Sequence, residues 1–328
     1  MTTALPTGSV RSSVDVACRF RPIVGGGFRA AMEITRRCNL SCSHCFGPNQ
    51  RPEPKLAELV AIIRKLRQLG CRKLVLTGGE PLLRSDLEAI IRGTVNAGVG
   101  VDLNSNLVGL GIARADALTS AGLGEASVTF YGDRVFHDAF VGRAGAHEST
   151  LQSCRLLRER GVEIDVHGPL WDENLRCAEH VCDLAESLGA ESLTFFKVIA
   201  PSGTDAGRPF GGTRFGASED QFPAASLDAV ASIVRRLRER GKFPVRTIGF
   251  WTPQNDKCEK GCSIVGITAD LQMSPCLLSR RRTLQARPVT SDTVEETLTA
   301  LRQEVREGLW EPLCGMVSDG LPADHVGS

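Results

Sequence analysis

Six short runs rich in Val, Leu and Ile, each followed by a longer stretch of helical period, divide residues 31–197 into repeating β-α units. Such alternation builds a parallel sheet. The expected strands are residues 31–35, 73–77, 100–104, 126–130, 162–167 and 192–197. Apolar spacing marks one helix face with Leu56, Leu59, Ile63 and Leu66, and the next with Leu87, Ile90, Ile91 and Val95. The second helix is expected to open with a capping box, Ser85-x-x-Glu88. Gly70, Gly161 and Gly189 follow helical runs, where a glycine can take positive φ. Six β-α units make three quarters of an eight-stranded barrel. The expected fold class is therefore α/β, a partial (β/α)6 TIM-type barrel whose functional face is made by the loops at the carboxyl ends of its strands.

Residues 201–223 hold five glycines and three prolines without apolar periodicity and read as a linker or a long loop over the barrel mouth. The expected organisation is an N-terminal extension (1–30), the barrel (31–200), a linker and helix (201–244) and a smaller C-terminal module (245–328). That module is expected to carry a hairpin at 263–276 and a helix near 293–307.

Thirty-nine basic residues against thirty-eight acidic ones leave a net charge of +1, so no global field favours nucleic acid or a membrane surface. No window of eighteen apolar residues occurs, and residues 1–27 lack a signal-peptide pattern, which points to a cytoplasmic protein. In a reducing compartment, clustered cysteines among the twelve point to metal or cluster ligation rather than disulfides. Seven fall into two groups: Cys38, Cys42 and Cys45 follow the first strand, and Cys258, Cys262, Cys276 and Cys314 lie near the C-terminus. Three closely spaced thiolates can hold three irons of a [4Fe-4S] cube and leave the fourth iron open to a substrate or cofactor. Zinc is the alternative, and it would need a fourth ligand such as His44.

The run C-x3-C-x2-C after the first strand is joined by Thr77-Gly78-Gly79-Glu80-Pro81 at the end of the second. N-S-N-L and T-F-Y-G follow at the ends of the third and fourth. Together these resemble the radical S-adenosylmethionine (SAM) superfamily over residues 31–197. The resemblance implies a [4Fe-4S] cluster on Cys38, Cys42 and Cys45 whose open iron is chelated by SAM. One electron then cleaves SAM to methionine and a 5′-deoxyadenosyl radical, which takes a hydrogen atom from the substrate. It further implies SAM contacts from His44, at a position where relatives carry an aromatic against the adenine, and from Gly78, Gly79, Glu80, Ser105 and Thr129. Gly78 and Gly79 would let a strand end approach the ligand, and Glu80 would accept hydrogen bonds from its ammonium. An ordinary strand-to-helix turn and a solvated loop imidazole are the plainer readings of these segments. Ser105-Asn106-Leu107 stands where many relatives show T-N-G, so this turn lacks its glycine.

Cys258-x3-Cys262-x13-Cys276 with Cys314 resembles the twitch module, a shortened SPASM extension, and implies one auxiliary [4Fe-4S] cluster. Four cysteines would saturate it, which favours electron transfer; a zinc site or a cluster that staples the fold are alternatives. The implied activity is that of a radical SAM oxidoreductase. It would dehydrogenate or cross-link a small natural-product intermediate or a peptide, using electrons from a donor such as flavodoxin or ferredoxin. About thirty residues precede the first strand, too few for a fused peptide-recognition domain. A redox-neutral epimerase, drawing a hydrogen atom from Cys154, Cys177 or Cys182, and a non-catalytic metal-binding protein are the competing readings. Asp165 and His167 on the fifth strand and Lys197 on the sixth are candidates to take the proton that leaves a ketyl-type radical, against the plainer reading of a solvated rim.

Overall fold

The computed structural model describes residues 27–45, 53–198, 224–248, 264–275, 277, 279–281, 287–307 and 309–312. Eight strands run parallel: β1 (Phe28–Thr35), β2 (Cys71–Gly78), β3 (Gly100–Asn104), β4 (Glu125–Thr129), β5 (Glu163–Leu170), β6 (Ser192–Lys197), β7 (Val245–Ile248) and β8 (Ile264–Ile267). Their order is β8-β1-β2-β3-β4-β5-β6-β7. The six expected strands are all present, and two more from beyond residue 244 join the sheet at its opposite edges. After β8 the chain folds back as β9 (Gln272–Ser274), which realises the expected hairpin. Then follow β10 (Ser279–Arg281), β11 (Arg287–Pro288), which pairs with β9, and β12 (Trp310–Pro312), which pairs with β10.

The helices are α1 (Leu56–Gln68), α2 (Leu87–Asn96), α3 (Ile112–Ser120), α4 (Arg134–Val141), α5 (Ala146–Arg158), α6 (Ala178–Leu188), α7 (Ala224–Glu239) and α8 (Val294–Arg306). No helix among the described residues is long and apolar enough to cross a membrane. On α1, Leu59, Ile62, Ile63 and Leu66 are buried, as the helical period requires. On α2 the buried set is Leu87, Ile90, Ile91 and Thr94, while Val95 is 39% exposed. Thr94 is tolerated inside because its hydroxyl donates to Ile90 O at 2.8 Å. The capping box at Ser85 does not form: Asp86 is the N-cap, its carboxylate is drawn to Arg84, and Glu88 pairs with Arg114.

Period-2 alternation divides each strand between two environments. Ala30, Met32 and Ile34 of β1, Leu74 and Leu76 of β2, Ala126 and Val128 of β4, and Leu193 and Phe195 of β6 are buried on the helix-covered face. The other face is polar. Arg29, Lys73, Asp102, Glu125, Asp165 and Arg246 occupy it toward the amino ends of the strands. Arg29 on β1 feels the charges of Asp102 on β3, Glu125 on β4, Asp165 on β5 and Arg246 on β7. Groups on strands so far apart in the sheet interact only because the sheet curls around a lumen. Its floor is ionic, and its mouth is the carboxyl end.

Candidate functional site

At the mouth, the loop after β1 carries Cys38, Cys42 and Cys45, and its odd-numbered residues bind it to the scaffold. Thr35 O accepts from Gly79 N at 2.9 Å, and Arg37 O accepts from Glu80 N at 2.7 Å. Asn39 accepts from Asn106 Nδ2 at 2.8 Å. Ser41 N donates to Val141 O at 3.0 Å and Ser43 N to Phe140 O at 3.1 Å. The loop is thus sutured in turn to the end of β2, the turn after β3 and the last turn of α4. In that turn the carbonyls have no partner within the helix, and the loop amides supply one. Arg84, buried behind the turn after β2, clamps both stems by donating to Ile34 O at 2.7 Å and Pro54 O at 3.0 Å.

Gly78 and Gly79 owe their identity to this suture. A Cβ at Gly78, whose φ is 147°, would fall on Thr35 O, and one at Gly79 on Arg37 O. The space expected to admit a ligand is filled by the cysteine loop's own carbonyls. Any SAM contact from these residues must come from backbone groups. Glu80 is fully buried: its carboxylate accepts from Leu82 N at 2.8 Å, Ser105 Oγ at 2.6 Å and Asn106 N at 2.8 Å. Burial pushes its pKa up, against the pull of these three donors. Ser105 in turn accepts from Leu107 N at 2.9 Å. Glu80 and Ser105 therefore lock the ends of β2 and β3 together instead of presenting open groups. Leu107 stands where the glycine of T-N-G is missing, and it keeps the left-handed path with φ 57°.

The three thiols are close neighbours. Burial raises the Cys38 thiol, with Cys45 and Glu80 adding to it, and pushes Cys42 up to about 12, with Cys45 and Cys38 adding to it. Held above their ordinary values, the Cys38 and Cys42 thiols become thiolates when a cation binds them. A cubane fits this donor set. No group of three or more His, Cys, Asp or Glu among the described residues closes on a single metal ion. His44 does not join the thiols: its ring packs against Tyr131 and Phe140, with centroids 5.4 and 5.3 Å away, and burial lowers its pKa to about 4. Burial raises the Tyr131 phenol well above its ordinary value, and the charges of Cys42 and Cys45 add to it.

Farther round the mouth, Thr129 and His167 are register partners on the lumen face. Burial lowers His167 to about 4, and its ring meets Phe196 edge-on at 5.4 Å. Asp165, one pleat deeper, accepts from Ser192 Oγ at 2.6 Å and belongs to the ionic floor. Lys197 shares the alternation of Leu193 and Phe195, so the strand turns it away from the lumen that His167 faces. Asp165 thus lies one pleat below His167, and Lys197 on the face of the sheet opposite it. Cys154 and Cys182 lie buried on α5 and α6, and Cys177 lies against Gly132. Cys258, Cys262, Cys276 and Cys314 lie outside the described residues. Sequence reasoning passed over Arg84, Asn106 and Tyr131 as individual groups, although N-S-N-L and T-F-Y-G contain the last two.

Residues 32–185 match the family model described as Radical SAM superfamily. The chain is 29% identical over 182 residues to an AdoMet-dependent heme synthase of Nitratidesulfovibrio vulgaris, covering 54% of this chain and 49% of that one. It is 29% identical over 167 residues to a PqqA peptide cyclase of Rhodopseudomonas palustris, covering 49% and 44%. The chain thus spans about half the length of the curated relatives it matches. Among solved structures it resembles native anSMEcpe with bound AdoMet and Cp18Cys peptide, with a TM-score of 0.64 and 13% identity over 83% of this chain and 80% of that one. At that identity the likeness is one of fold.

Proposed function

We propose that the chain, whose residues 32–185 match the radical SAM superfamily model, is a radical SAM oxidoreductase acting on a peptide or a small natural-product intermediate. The observation that carries this reading is the loop sutured at alternate residues, which displays Cys38, Cys42 and Cys45 together at the mouth of a polar lumen. These cysteines would hold the [4Fe-4S] cluster, and the cluster with SAM supplies, when bound, a 5′-deoxyadenosyl radical that removes a hydrogen atom from the substrate. Cys258, Cys262, Cys276 and Cys314 would hold a second cluster, an electron acceptor that makes the outcome a two-electron oxidation. A donor such as flavodoxin or ferredoxin would supply electrons.

The chain's own residues then have distinct tasks. The suture holds the thiols in register, Glu80 and Ser105 keep the β2 and β3 ends from spreading, and backbone groups at Gly78 and Gly79 border the SAM site with Thr129. His167, held neutral, is a proton acceptor facing the lumen beside Thr129. A peptide substrate is supported by the peptide cyclase among the relatives and the peptide in the anSMEcpe structure. For the epimerase reading, Cys154 and Cys182 sit on helices outside the sheet, which leaves Cys177, beside Gly132, as its hydrogen-atom donor.

The deciding measurement is 5′-deoxyadenosine formation by the anaerobically reconstituted protein with SAM and a strong one-electron donor. Iron analysis of the wild type runs beside a variant with Cys38, Cys42 and Cys45 changed to Ala. Two cubes predict about eight irons falling to about four. No 5′-deoxyadenosine, whatever peptides or small molecules are offered, overturns the proposal. If His167→Ala leaves product formation intact while SAM is cleaved, His167 has no part in the proton transfer.

A further inference from the structure

We propose that the outward face of α4, with Arg143 just beyond it, is the docking surface for an acidic one-electron carrier protein. The inference rests on the cluster assignment above and adds to it the place where the electron enters. α4 turns His137, Phe140 and Val141 inward, while Arg134, Val135, Ala139 and then Arg143 are exposed. Val135, at 72%, is the most exposed large hydrophobic side chain among the described residues. Elsewhere on the surface Arg160, Arg236 and Arg240 are each bound to a carboxylate, whereas Arg134 and Arg143 pair with none among the described residues. The two carboxylates of this stretch are occupied. Asp133 accepts from Phe136 N at 2.9 Å, and Asp138 accepts from Gly145 N at 2.7 Å and His147 N at 2.8 Å. Both lie against helix amino ends, whose partial positive charge offsets theirs, so the guanidiniums are what an approaching protein meets.

The same face backs onto the thiol loop. Val141 O accepts from Ser41 N at 3.0 Å, one residue from Cys42, and Arg143 Nη1 donates to Asn39 O at 3.4 Å, one residue from Cys38. Gly142 places no side chain in between, since a Cβ there would lie 2.5 Å from Ser41 Oγ. Two hydrogen-bonded routes thus join an exposed surface to the neighbours of two thiols. An apolar spot rimmed by unpaired cations suits a partner of opposite charge, which it also draws in over a distance. One electron passes from the carrier, which is oxidised, to the front cluster, which is reduced. No bond is made or broken.

The test is a calorimetric titration of the anaerobically reconstituted full chain with purified oxidised flavodoxin at low salt, beside Arg134→Glu/Arg143→Glu. Arg134 opens α4, where a carboxylate suits the helix. The Kd is expected to rise about tenfold or more, and added salt is expected to weaken binding by the wild type far more than by this variant. Arg64→Glu/Arg92→Glu, on exposed positions of α1 and α2, changes net charge equally and is expected to keep the wild-type Kd. With reduced flavodoxin below its Kd as donor, 5′-deoxyadenosine formation by Arg134→Glu/Arg143→Glu is expected to fall in proportion; with dithionite it is expected to match wild type. An unchanged Kd, an equal rise in Arg64→Glu/Arg92→Glu, or a wild type that cleaves SAM with dithionite but binds no flavodoxin overturns the proposal and leaves the cluster assignment standing. A wild type that cleaves no SAM with dithionite overturns both. Should Arg134→Glu/Arg143→Glu fail to retain iron, Arg134→Gln/Arg143→Gln decides in its place, an unmoved Kd refuting the proposal.

Discussion

Leu107 holds a backbone conformation that glycine takes without cost, and it does so while fully buried. The left-handed region costs a residue with a Cβ about 1 to 2 kcal/mol, which burial of a leucine offsets. Leu107→Ala should therefore destabilise by about 2 to 4 kcal/mol, because it keeps the strain and loses the packing. Leu107→Gly should lose roughly 1 kcal/mol less than Ala, the reverse of the usual order at a buried site, as read by urea unfolding. At Gly78 the argument runs the other way. Gly78→Ala sets a Cβ against Thr35 O at a positive φ, and the expected result is a protein that folds but retains less iron after reconstitution, measured by iron analysis. The Gly-Gly pair was legible in the sequence as a place where side chains are not tolerated. Which neighbour demands the room was not, since Thr35 and Arg37 lie some forty residues earlier.

Among the elements, β1, β2, β3 and α4 matter together because their ends meet on one loop. Arg84 makes the arrangement rigid: its guanidinium is 4% exposed, pairs with Asp86 at 2.7 Å and donates to carbonyls on both sides of the cysteine segment. Arg84→Met leaves those carbonyls without their donor, and a loss of about 2 to 3 kcal/mol in urea unfolding is expected together with faster loss of iron under chelator. Arg84→Lys should recover part of the stability but not the two-carbonyl bridge, since an ammonium lacks the planar fork. Helical and strand periods were readable from the apolar pattern. The facing of the last residue of a strand was harder. Lys197 looked like a rim group by its position at a strand end, yet the alternation of Leu193 and Phe195 assigns it to the outer face.

For the molecule as a whole, the polar lumen divides the work between a charged floor and a mostly neutral mouth. Asp102 in the floor is 7% exposed, and burial raises its pKa from 3.8 to about 6, with Lys73 opposing the shift and Glu125 and Asp165 reinforcing it. The folded protein then holds this proton more tightly than the unfolded chain. The stability this carboxyl contributes is fully present below pH 3.8 and is lost as pH rises through about 6, a change on the order of 2 to 3 kcal/mol. Asp102→Asn should flatten that decline, as measured by urea unfolding at successive pH values between 4 and 7.

Local pattern was enough for the repeating β-α units, the parallel sheet and the thiol triplet with its glycine turn, because each depends on residues a few positions apart. Long-range closure settled the rest. It brought β7 and β8 into the barrel sheet from beyond the expected boundary, drew Glu80 and Ser105 into each other's hydrogen bonds, lowered Asp165 into the floor and set Tyr131 against His44 and Phe140. Those outcomes depend on groups separated by tens of residues, whose meeting is governed by the curl of the sheet and the packing of α4, and no short-range periodicity encodes such a meeting.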